Sequence, residues 1–471
     1  MSILETITND YGLVGDTDSY KLSHYPQYPK GTTKMFSYVE SRGGRFNETV
    51  FFQLQYILKE YFSKPVTMNQ VENMKKFAKL HGEPFNYNGW KKIVEVYKGR
   101  LPVKIRAVKE GTPVPVGNVL CTIESSVDDE EVFWIVSYIE TMLLRLWYGT
   151  TVATLSREVK KVIYAGLQAT SDNPDIEIPF KLHDFGSRGV SSMESAVVGG
   201  MAHLVNFLGT DTIVGALGAD LAYGVDGVAG FSIPAAEHTT MTMRGKEGET
   251  FAFKNMIDQY GGEGKIFAVV SDGYNYWEAL KKWGTELKQL VLDSKATLVI
   301  RPDSGYPPEV VLKSLEILDM YYGSTKNSKG YKVLNTVRLI QGDGLNYDMI
   351  QTIVDAIEAN GYSLDNVAFG MGGGLLQMVN RDTQKFAMKC SAAKIDGKWV
   401  DVFKDPITDK GKRSKKGRIT LYRNRETGEY LSGRVNRAPN PDYIDVLEDV
   451  WEDGILIRTQ TFEEVRTQAA F

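Results

Sequence analysis

The chain has 471 residues and a net charge of −4, with 42% hydrophobic, 11% aromatic and 24% charged residues. This length exceeds what one compact core holds and predicts two domains, and the composition is typical of a folded protein. The slightly acidic balance argues against a general role on nucleic acids or membrane surfaces. Cys121 and Cys390 are the only cysteines, which excludes a disulfide framework and favours a reducing cytoplasm.

Two further classes of segment are not expected. No apolar run reaches the roughly 18 residues that a membrane span needs. The first residues, MSILETITNDYG, have neither a basic leader nor an apolar stretch, so we expect no signal peptide. Together with the cysteine content, this favours a cytoplasmic protein without a membrane partner.

The first 145 residues mix helical and strand patterns. Residues 49–62 and 131–148 have apolar side chains at helical spacing. Between them, residues 101–111 and 117–126 alternate apolar and polar side chains, which predicts half-buried antiparallel strands. After about residue 390 the pattern is again typical of β-hairpins, in GRITLYRN and EYLSGR.

From about residue 150 onward, helices alternate with short apolar strands. Residues 154–168 form a predicted helix, and Ser191 or Ser192 could cap the next one. Four apolar runs, KIFAVVSD, ATLVIRP, TVRLIQGD and NVAFG, are typical of buried parallel strands. His203 lies in an apolar helical stretch and is interpreted as a core residue with satisfied hydrogen bonds.

Seven apolar runs each end in a polar, acidic or Gly-rich cluster. The clusters are LHDFGSRG, LGTDTIVG, PAAEHTTM, AVVSDGY, LVIRPDSG, RLIQGDG and VAFGMGGG, and they recur every 27 to 40 residues. Such a step fits one strand, one helix and two loops. The pattern therefore predicts a β/α barrel-like sheet whose strands deliver chemistry at their C-terminal ends.

Several of these clusters suggest ligands, and each also has a structural interpretation. The glycines from Gly370 to Gly374 lie between a strand and a helix, where backbone N–H groups can bind phosphate, but a tight turn without a ligand is equally open. The neighbouring QGDG strengthens the phosphate interpretation. Arg301 and Asp303 suit a phosphate and a ribose or magnesium ion, or they form a structural pair.

Three other features have the same ambiguity. His238 follows Glu237 at a strand end and could be a base, a nucleophile or a structural residue. Phe185, near Arg188, suits a stacked heteroaromatic ligand or the core. Residues 404–418 carry seven Lys or Arg and two Asp, as expected of a solvated loop or of a loop that closes over a polyphosphate.

Taken together, the motifs resemble the nicotinamide phosphoribosyltransferase family. TDSYKLSHYPQYP, LHDFGSRGVSS, NFLGTDT, PAAEHTT, VVSD, IRPDSG, IQGDG, FGMGGGLLQ and VFKDP followed by KRSKKGR occur in order between about residues 16 and 418. The resemblance implies that nicotinamide and phosphoribosyl pyrophosphate (PRPP) give nicotinamide mononucleotide and pyrophosphate. It also implies an incomplete β/α (TIM-like) barrel, expected over 149–390, and an α+β domain from 1–148 and 391–471.

The resemblance assigns roles to residues that match the motifs. Phe185, with Tyr20 of the other subunit of a homodimer, would sandwich the nicotinamide ring, and Asp211 would face the carboxamide. His238 would be phosphorylated by ATP, with Asp272 as its carboxylate partner. The residues expected to hold ribose and phosphates are Arg188, Arg301, Asp303, Gly342, Asp343, Gly372 and Gly373, and those expected around the pyrophosphate are Arg42, Arg381, Lys389 and Lys404.

The resemblance further implies Mg²⁺, held mainly by PRPP and pyrophosphate, and ATP as a hydrolysed co-substrate. One departure is visible, because Ala387 stands where the family can place a phosphate-contacting serine. The nearest competing function is that of a nicotinate phosphoribosyltransferase, against which the Asp211 carboxylate argues. A magnesium-dependent barrel lyase or isomerase and a binding protein without catalysis are two more distant possibilities.

Overall fold

The computed structural model describes residues 2–408 and 413–471, so part of the basic stretch 404–418 lies outside the described residues. The chain divides into two compact units. The terminal unit comprises Met1–Thr154, Leu221–Val225 and Asn380–Phe471, and the barrel unit comprises Leu155–Asp220 and Asp226–Val379. No helix in the described ranges is both long and apolar enough to cross a membrane.

The described residues form β-strands and α-helices with the following bounds. The strands are β1 (Thr32–Ser41), β2 (Glu48–Val50), β3 (Val103–Ala107), β4 (Pro113–Pro115), β5 (Val119–Ser125), β6 (Leu182–Asp184), β7 (Gly209–Thr210), β8 (Ile266–Val270), β9 (Thr297–Arg301), β10 (Ser324–Lys326), β11 (Lys332–Leu334), β12 (Val337–Gln341), β13 (Val367–Met371), β14 (Phe386–Ile395), β15 (Lys398–Asp401), β16 (Ile419–Asn424), β17 (Tyr430–Arg434), β18 (Tyr443–Asp445), β19 (Glu448–Glu452) and β20 (Ile455–Leu456). The α-helices are α1 (Ile3–Asp10), α2 (Gly12–Gly15), α3 (Leu54–Ile57), α4 (Met68–His81), α5 (Tyr87–Glu95), α6 (Ile135–Tyr138), α7 (Glu140–Leu144), α8 (Trp147–Thr170), α9 (Pro174–Glu177), α10 (Met193–Leu204), α11 (Ile213–Tyr223), α12 (His238–Thr242), α13 (Glu249–Tyr260), α14 (Tyr276–Gly284), α15 (Lys288–Ser294), α16 (Pro307–Tyr322), α17 (Tyr347–Ala359), α18 (Gly373–Leu376) and α19 (Phe462–Ala469).

The terminal unit is built on a seven-stranded antiparallel sheet. Its strand order is β15-β14-β1-β5-β3-β19-β20, so both ends of the chain contribute to it. The predicted antiparallel pair is β3 with β5, and the predicted hairpin is β16 with β17. The unit begins its last segment at Asn380, ahead of the predicted boundary at residue 390, because β14 pairs along its length with β1.

Two predicted helices of the terminal unit are interrupted. In residues 49–62 the chain first forms β2, turns at Gln53 with a φ of 89°, and becomes helical only from Leu54. Residues 131–148 hold the short helices α6 and α7 and the start of α8. Helical spacing of apolar residues did not reveal these breaks, because the intervening residues are buried as well and keep the apolar pattern.

The barrel unit contains six parallel strands in the order β7-β6-β13-β12-β9-β8. The four apolar runs predicted as buried strands are β8, β9, β12 and β13. Of the two candidate caps, Ser192 begins α10, since its hydroxyl oxygen accepts a hydrogen bond from the Ser195 amide at 3.1 Å. His203 is buried, and its ring nitrogens contact Ser156 Oγ and the Gly209 carbonyl at 3.1 Å each.

A short extended segment links the two edge strands of this sheet. Phe231 bridges to β7 at Gly209, and Ala235 bridges to β8 at Ala268. Backbone hydrogen bonds of 2.7–2.9 Å accompany both bridges. Pro234 has no N–H to donate, so this segment makes isolated bridges in place of a full ladder. The sheet is thereby curled into an incomplete TIM-like barrel.

Small and branched side chains fill the inside of the curl. Ala268, Val299 and Ile340 form one apolar cluster, against which Phe185, Ile233 and Ala368 pack. Ala268 and Val299 pair on the neighbouring strands β8 and β9, and Ile340 and Ala368 pair on β12 and β13. The cluster therefore forms one continuous apolar patch on this part of the sheet.

Candidate active site

The predicted strand-end residues of the barrel unit converge on one edge of the sheet. Each follows or ends a parallel strand or the bridging segment, and parallel strands have their carboxyl ends on the same side. Phe185 and Arg188 follow β6, Asp211 follows β7, His238 follows the bridging segment, Asp272 follows β8, Arg301 ends β9 with Asp303 after it, Gly342 and Asp343 follow β12, and Gly372 and Gly373 follow β13.

His238 lies at the centre of a hydrogen-bonded cluster. Its Nε2 is 2.9 Å from Asp272 Oδ1, and its Nδ1 is 3.9 Å from Asp303 Oδ2. Asp272 is almost buried, with a side chain 6% exposed, whereas the imidazole is 45% exposed. The carboxylate can only accept a hydrogen bond, so in the neutral imidazole Nε2 carries the proton and Nδ1 presents its lone pair.

Arg301 and Asp303 form an ion pair, as expected if the two residues of IRPDSG have a structural role. The same pair is also part of the His238 cluster. Arg301 Nη2 is 3.2 Å from Asp303 Oδ2, the same oxygen that faces His238 Nδ1. The Nε of Arg301 is buried and has no hydrogen-bond partner among the described residues. The guanidinium and the imidazole therefore face one carboxylate oxygen, which places a fixed positive charge in the cluster.

Ser304 belongs to the same cluster, although no role was predicted for it. Its hydroxyl donates a hydrogen bond of 2.7 Å to Asp272 Oδ2. The residue stands next to Asp303 in IRPDSG, but a serine in a Gly-containing loop is too common to single out. The contact joins loops that are 32 residues apart in the chain, and only the tertiary structure reveals it.

Phe185 lies half-buried against the backbone of the neighbouring strands. A Cβ on Gly370 would stand 2.0 Å from Phe185 Cε2, so only glycine leaves room for this ring at that position. The Phe185 amide donates to the Met371 carbonyl at 3.1 Å, which ties the loop after β6 to β13. The aromatic ring is thus held against the barrel interior beside the glycine-containing strand ends.

Two aspartates adjoin the loop that carries this ring. Asp211 is exposed, and its Oδ1 accepts a 2.5 Å hydrogen bond from Ser232, a contact that was not predicted. Its amide donates to the carbonyl of Asp184, the residue before Phe185, at 2.9 Å. Burial raises the pKa of Asp184 to about 6, although a hydrogen bond from the Gly186 amide acts in the opposite direction.

The glycine-rich strand ends provide open backbone. Gly372 precedes the four-residue helix α18, and a Cβ on Gly373 would meet only Gln377 Oε1, at 3.8 Å. Asp343 is exposed after β12, and its carbonyl accepts from the Gln341 side chain at 3.0 Å. Both loops therefore offer backbone and carboxylate groups at the same edge as His238.

The four basic residues predicted around pyrophosphate gather in the terminal unit. Arg42, Arg381, Lys389 and Lys404 line a cavity of about 540 Å³. We call this cavity the basic pocket. Lys385, Glu140 and Ala387 line it too, and neither Lys385 nor Glu140 was predicted. The residues come from three distant parts of the chain, which explains why no local sequence pattern marks the set.

Charges in the basic pocket are only partly balanced. Burial is the largest cause of a lowered pKa for Lys389; Glu140 raises this pKa, while Arg42 and Lys404 lower it further. Arg42 Nε contacts Glu40 at 2.9 Å, and Glu140 binds the buried Lys21 at 2.7 Å. The pocket therefore keeps surplus positive charge in a partly desolvated setting, which favours a polyanion.

Tyr20 lies on a short 3-10 helix of the terminal unit, Ser19–Ser23, and is 56% exposed. The residues around it are anchored. Lys21 Nζ donates to the Ser137 carbonyl at 2.9 Å as well as to Glu140, and Ser19 Oγ contacts His81 Nε2 at 2.8 Å. An exposed aromatic ring on an anchored segment is suited to stacking on a partner at low entropic cost.

Comparisons with known proteins agree with these motifs. The nicotinate phosphoribosyltransferase (NAPRTase) family matches residues 180–442, and the N-terminal domain of nicotinamide phosphoribosyltransferase matches residues 12–105. A nicotinamide phosphoribosyltransferase of Xanthomonas campestris pv. campestris (strain 8004) is 54% identical over 460 residues, 97% of this chain and 98% of that protein. The chain belongs to the nicotinamide phosphoribosyltransferase family. It is therefore an enzyme of the pentosyltransferase class.

Solved structures support the fold. Nicotinate-nucleotide pyrophosphorylase from Pyrococcus furiosus has a TM-score of 0.63 at 17% identity and covers 100% of this chain and 96% of its own. Human nicotinic acid phosphoribosyltransferase has a TM-score of 0.59 at 13% identity and covers 96% and 92%. At these identities the likeness shows a shared fold only. The base that this chain uses has to be inferred from its site residues.

Proposed function

We propose that this chain transfers the phosphoribosyl group of PRPP to nicotinamide, giving nicotinamide mononucleotide and pyrophosphate in NAD salvage. The observation that carries the choice of nicotinamide is the exposed Asp211 carboxylate beside the loop of Phe185. Ser232 donates to one of its oxygens, and the other can accept an amide N–H. A carboxylate at this place would repel the carboxylate of nicotinate.

The remaining groups fit the reaction at the ribose. The bond between the anomeric carbon and the pyrophosphate oxygen breaks, and its electron pair leaves with pyrophosphate. Fixed cations such as those of the basic pocket stabilise the charge that develops on this leaving group. The ring nitrogen of the base, oriented by stacking on Phe185, then forms the new bond to carbon. Asp303 and Asp343 have the acceptors to bind ribose hydroxyls, and Arg188, Gly372 and Gly373 offer donors for the 5′-phosphate.

Magnesium is proposed to enter as part of the substrate. The described residues contain no group of three His, Cys, Asp or Glu side chains that could hold a metal ion. When bound to the diphosphate of PRPP, magnesium would neutralise part of its charge, and the basic pocket would meet the remainder.

We also propose that ATP phosphorylates His238. The Nδ1 lone pair forms a bond to the γ-phosphorus, the bond from phosphorus to the β–γ bridging oxygen breaks, and ADP leaves with the electron pair. The Nε2 proton stays shared with Asp272, whose negative charge stabilises the phosphorylated ring. A covalent anion there would order the nearby cations before PRPP binds, and hydrolysis of the N–P bond would reset the site.

The base proposal is tested by turnover with each base and by Asp211→Ser. We expect the parent to use nicotinamide with a higher kcat/KM than nicotinate, with and without ATP. The variant should lose the charge-assisted bond, about 1.5–3 kcal/mol, and also the repulsion of nicotinate. Asp220→Ser, on the exposed face of α11, is the matched control. An unchanged ratio of the two kcat/KM values in Asp211→Ser would reopen the nicotinate alternative.

We further propose a homodimer in which Tyr20 of one subunit stacks on the base at the other subunit's site. Its exposure on an anchored segment supports an intermolecular role. Mixing Tyr20→Ala with Asp303→Ala subunits should restore part of the activity, because some heterodimer sites then contain both native residues. No recovery in heterodimers verified by mass spectrometry would rule out a shared site.

A further inference from the structure

The contact between Ser304 and Asp272 determines how the His238 ring is held. We infer that Ser304 is a positioning residue that, through Asp272, directs the phosphoryl group to Nδ1 of His238 and away from Nε2. This inference rests on the proposed phosphorylation of His238 and adds the residue that controls it. Ser304 lies on the loop after β9, whereas Asp272 lies on the loop after β8.

Because Asp272 is nearly buried, its hydrogen bonds control the charge and the orientation of its carboxylate. Its side chain is only 6% exposed, and a carboxylate with so little contact with water needs hydrogen bonds from the protein to remain charged. The two oxygens are used separately, with Oδ1 on His238 at 2.9 Å and Oδ2 on Ser304 at 2.7 Å. Rotation of the carboxylate would break both bonds, so Ser304 locks its orientation.

The locked carboxylate selects one nitrogen of the imidazole. Oδ1 can only accept, which keeps the proton on Nε2 and leaves the lone pair on Nδ1. Asp303 is the acidic group that faces Nδ1, and the 3.9 Å separation is too long for its carboxylate to accept a hydrogen bond from this nitrogen, so it does not hold a proton on Nδ1. Nδ1 is therefore the nucleophile, and Arg301, whose Nη2 is 3.2 Å from the same Asp303 oxygen, brings a positive charge to this side of the ring.

Removal of the Ser304 hydroxyl should loosen this arrangement. In Ser304→Ala, Oδ2 loses a hydrogen bond that holds the carboxylate in place. The carboxylate can then turn, the ring can exchange its tautomers or flip, and Nε2 becomes available for phosphorylation. We expect formation of phosphohistidine to slow by about tenfold, as for the loss of one hydrogen bond to a charged group, and the product to become a mixture of the two isomers.

The test is ³¹P NMR of the full-length enzyme after reaction with Mg²⁺ and ATP, followed by denaturation in alkali, which preserves phosphohistidine. The two isomers give separate resonances. The parent should show only the Nδ1 isomer, Ser304→Ala both isomers, and Ser304→Thr, which keeps a hydroxyl, mainly the parent pattern. Ser328→Ala is the matched control, because it removes an exposed serine–aspartate hydrogen bond of 2.6 Å to Asp172 elsewhere in the barrel unit.

The outcomes separate this inference from the proposed function. If Ser304→Ala gives the parent rate and a pure Nδ1 product, the positioning role is wrong while phosphorylation of His238 stands. If ATP labels no protein in the parent, the proposed ATP function is wrong. In that case the role of Ser304 is tested with phosphoramidate, which phosphorylates histidine without a nucleotide. An isomer ratio that Ser304→Ala leaves unchanged would overturn the positioning role, and an altered ratio would support it.

Discussion

The strand-end cluster of the barrel unit, formed by His238, Asp272, Arg301 and Asp303, differs from the basic pocket of the terminal unit in how its charges are balanced. In the cluster, each carboxylate has a defined partner, with Asp272 on His238 at 2.9 Å and Asp303 on Arg301 at 3.2 Å. In the pocket, Arg42, Arg381, Lys385, Lys389 and Lys404 face the same cavity as the acidic residues Glu140 and Asp382. A cluster of paired charges is organised before a ligand arrives, whereas a pocket with surplus positive charge is completed by its ligand.

This difference predicts different consequences of mutation. A change in the cluster should remove a chemical step, because its groups have defined partners and protonation states. A change in the pocket should weaken binding by an amount set by one ion pair, because several cations share the anion. Substitutions at His238, Asp184 and Lys389 are expected to have effects of decreasing size.

The largest effect is expected for His238→Ala. Without the nucleophile no phosphoenzyme can form, so ATP hydrolysis should fall by more than about 100-fold, within the range lost when a covalent catalyst is removed. ATP should also cease to change the rate of nicotinamide mononucleotide synthesis. The measurement is ADP release in the presence of PRPP and nicotinamide, with Lys254→Ala on α13 as a surface control. ADP release at the parent rate would show that His238 is not phosphorylated.

The next effect concerns the stability of the barrel unit and depends on pH. Burial raises the pKa of Asp184 to about 6 in the folded state, against an ordinary value of 3.8. Between these values the folded state binds more protons than the unfolded state, so its stability should fall as pH rises from about 4 to 6, by about 3 kcal/mol in total. Asp184→Asn removes this titration.

Hydrogen exchange of peptides that cover β6 and β7 measures this effect within the barrel unit. After correction for intrinsic exchange, the protection of the parent should decline across this pH range relative to that of Asp184→Asn. Asp220→Asn, an exposed aspartate on α11, should follow the parent. Equal pH profiles for the parent and Asp184→Asn would show that the buried carboxylate does not titrate in this window.

The smallest effect is expected for Lys389→Met in the basic pocket. Loss of one charge-assisted contact should weaken pyrophosphate binding by about 1.5–3 kcal/mol, or roughly 10- to 150-fold. Because the pKa of Lys389 is lowered in the empty pocket, a bound anion should raise it, and binding should take up protons. Pyrophosphate affinity should therefore decrease as pH rises through the pKa of the empty state.

Calorimetry in buffers of different ionisation enthalpy counts the protons taken up. The parent should take up more protons than Lys389→Met, whereas Lys254→Met, an exposed lysine paired with Asp258 at 2.5 Å, should match the parent. A loss in Lys389→Met as complete as that in His238→Ala would break the contrast between a shared anion pocket and a cluster of single roles.

Much of the barrel and its site could be predicted from the sequence. The regular spacing of Asp184, Asp211, His238, Asp272 and Asp303 indicated one strand per step, and the parallel sheet confirms it except before His238, where the chain forms only isolated bridges. The interruption at Gln53 could not be predicted, because a left-handed residue between buried positions leaves no mark on the apolar pattern. The resemblance to the family, which the comparisons confirm, supplied the reaction class.

The family, and the edge of the sheet at which the side chains of the barrel unit meet, can therefore be inferred from the order of residues along the chain. In a parallel β/α topology, every strand that is followed by a helix ends at that same edge. The pairing of individual atoms, as in Ser304 with Asp272 and Ser232 with Asp211, depends on the folded structure. The folded structure alone also brought Arg42, Glu140 and Lys389 to one cavity. These contacts join residues far apart in the chain, and their geometry depends on packing, which leaves no periodic signal in the sequence.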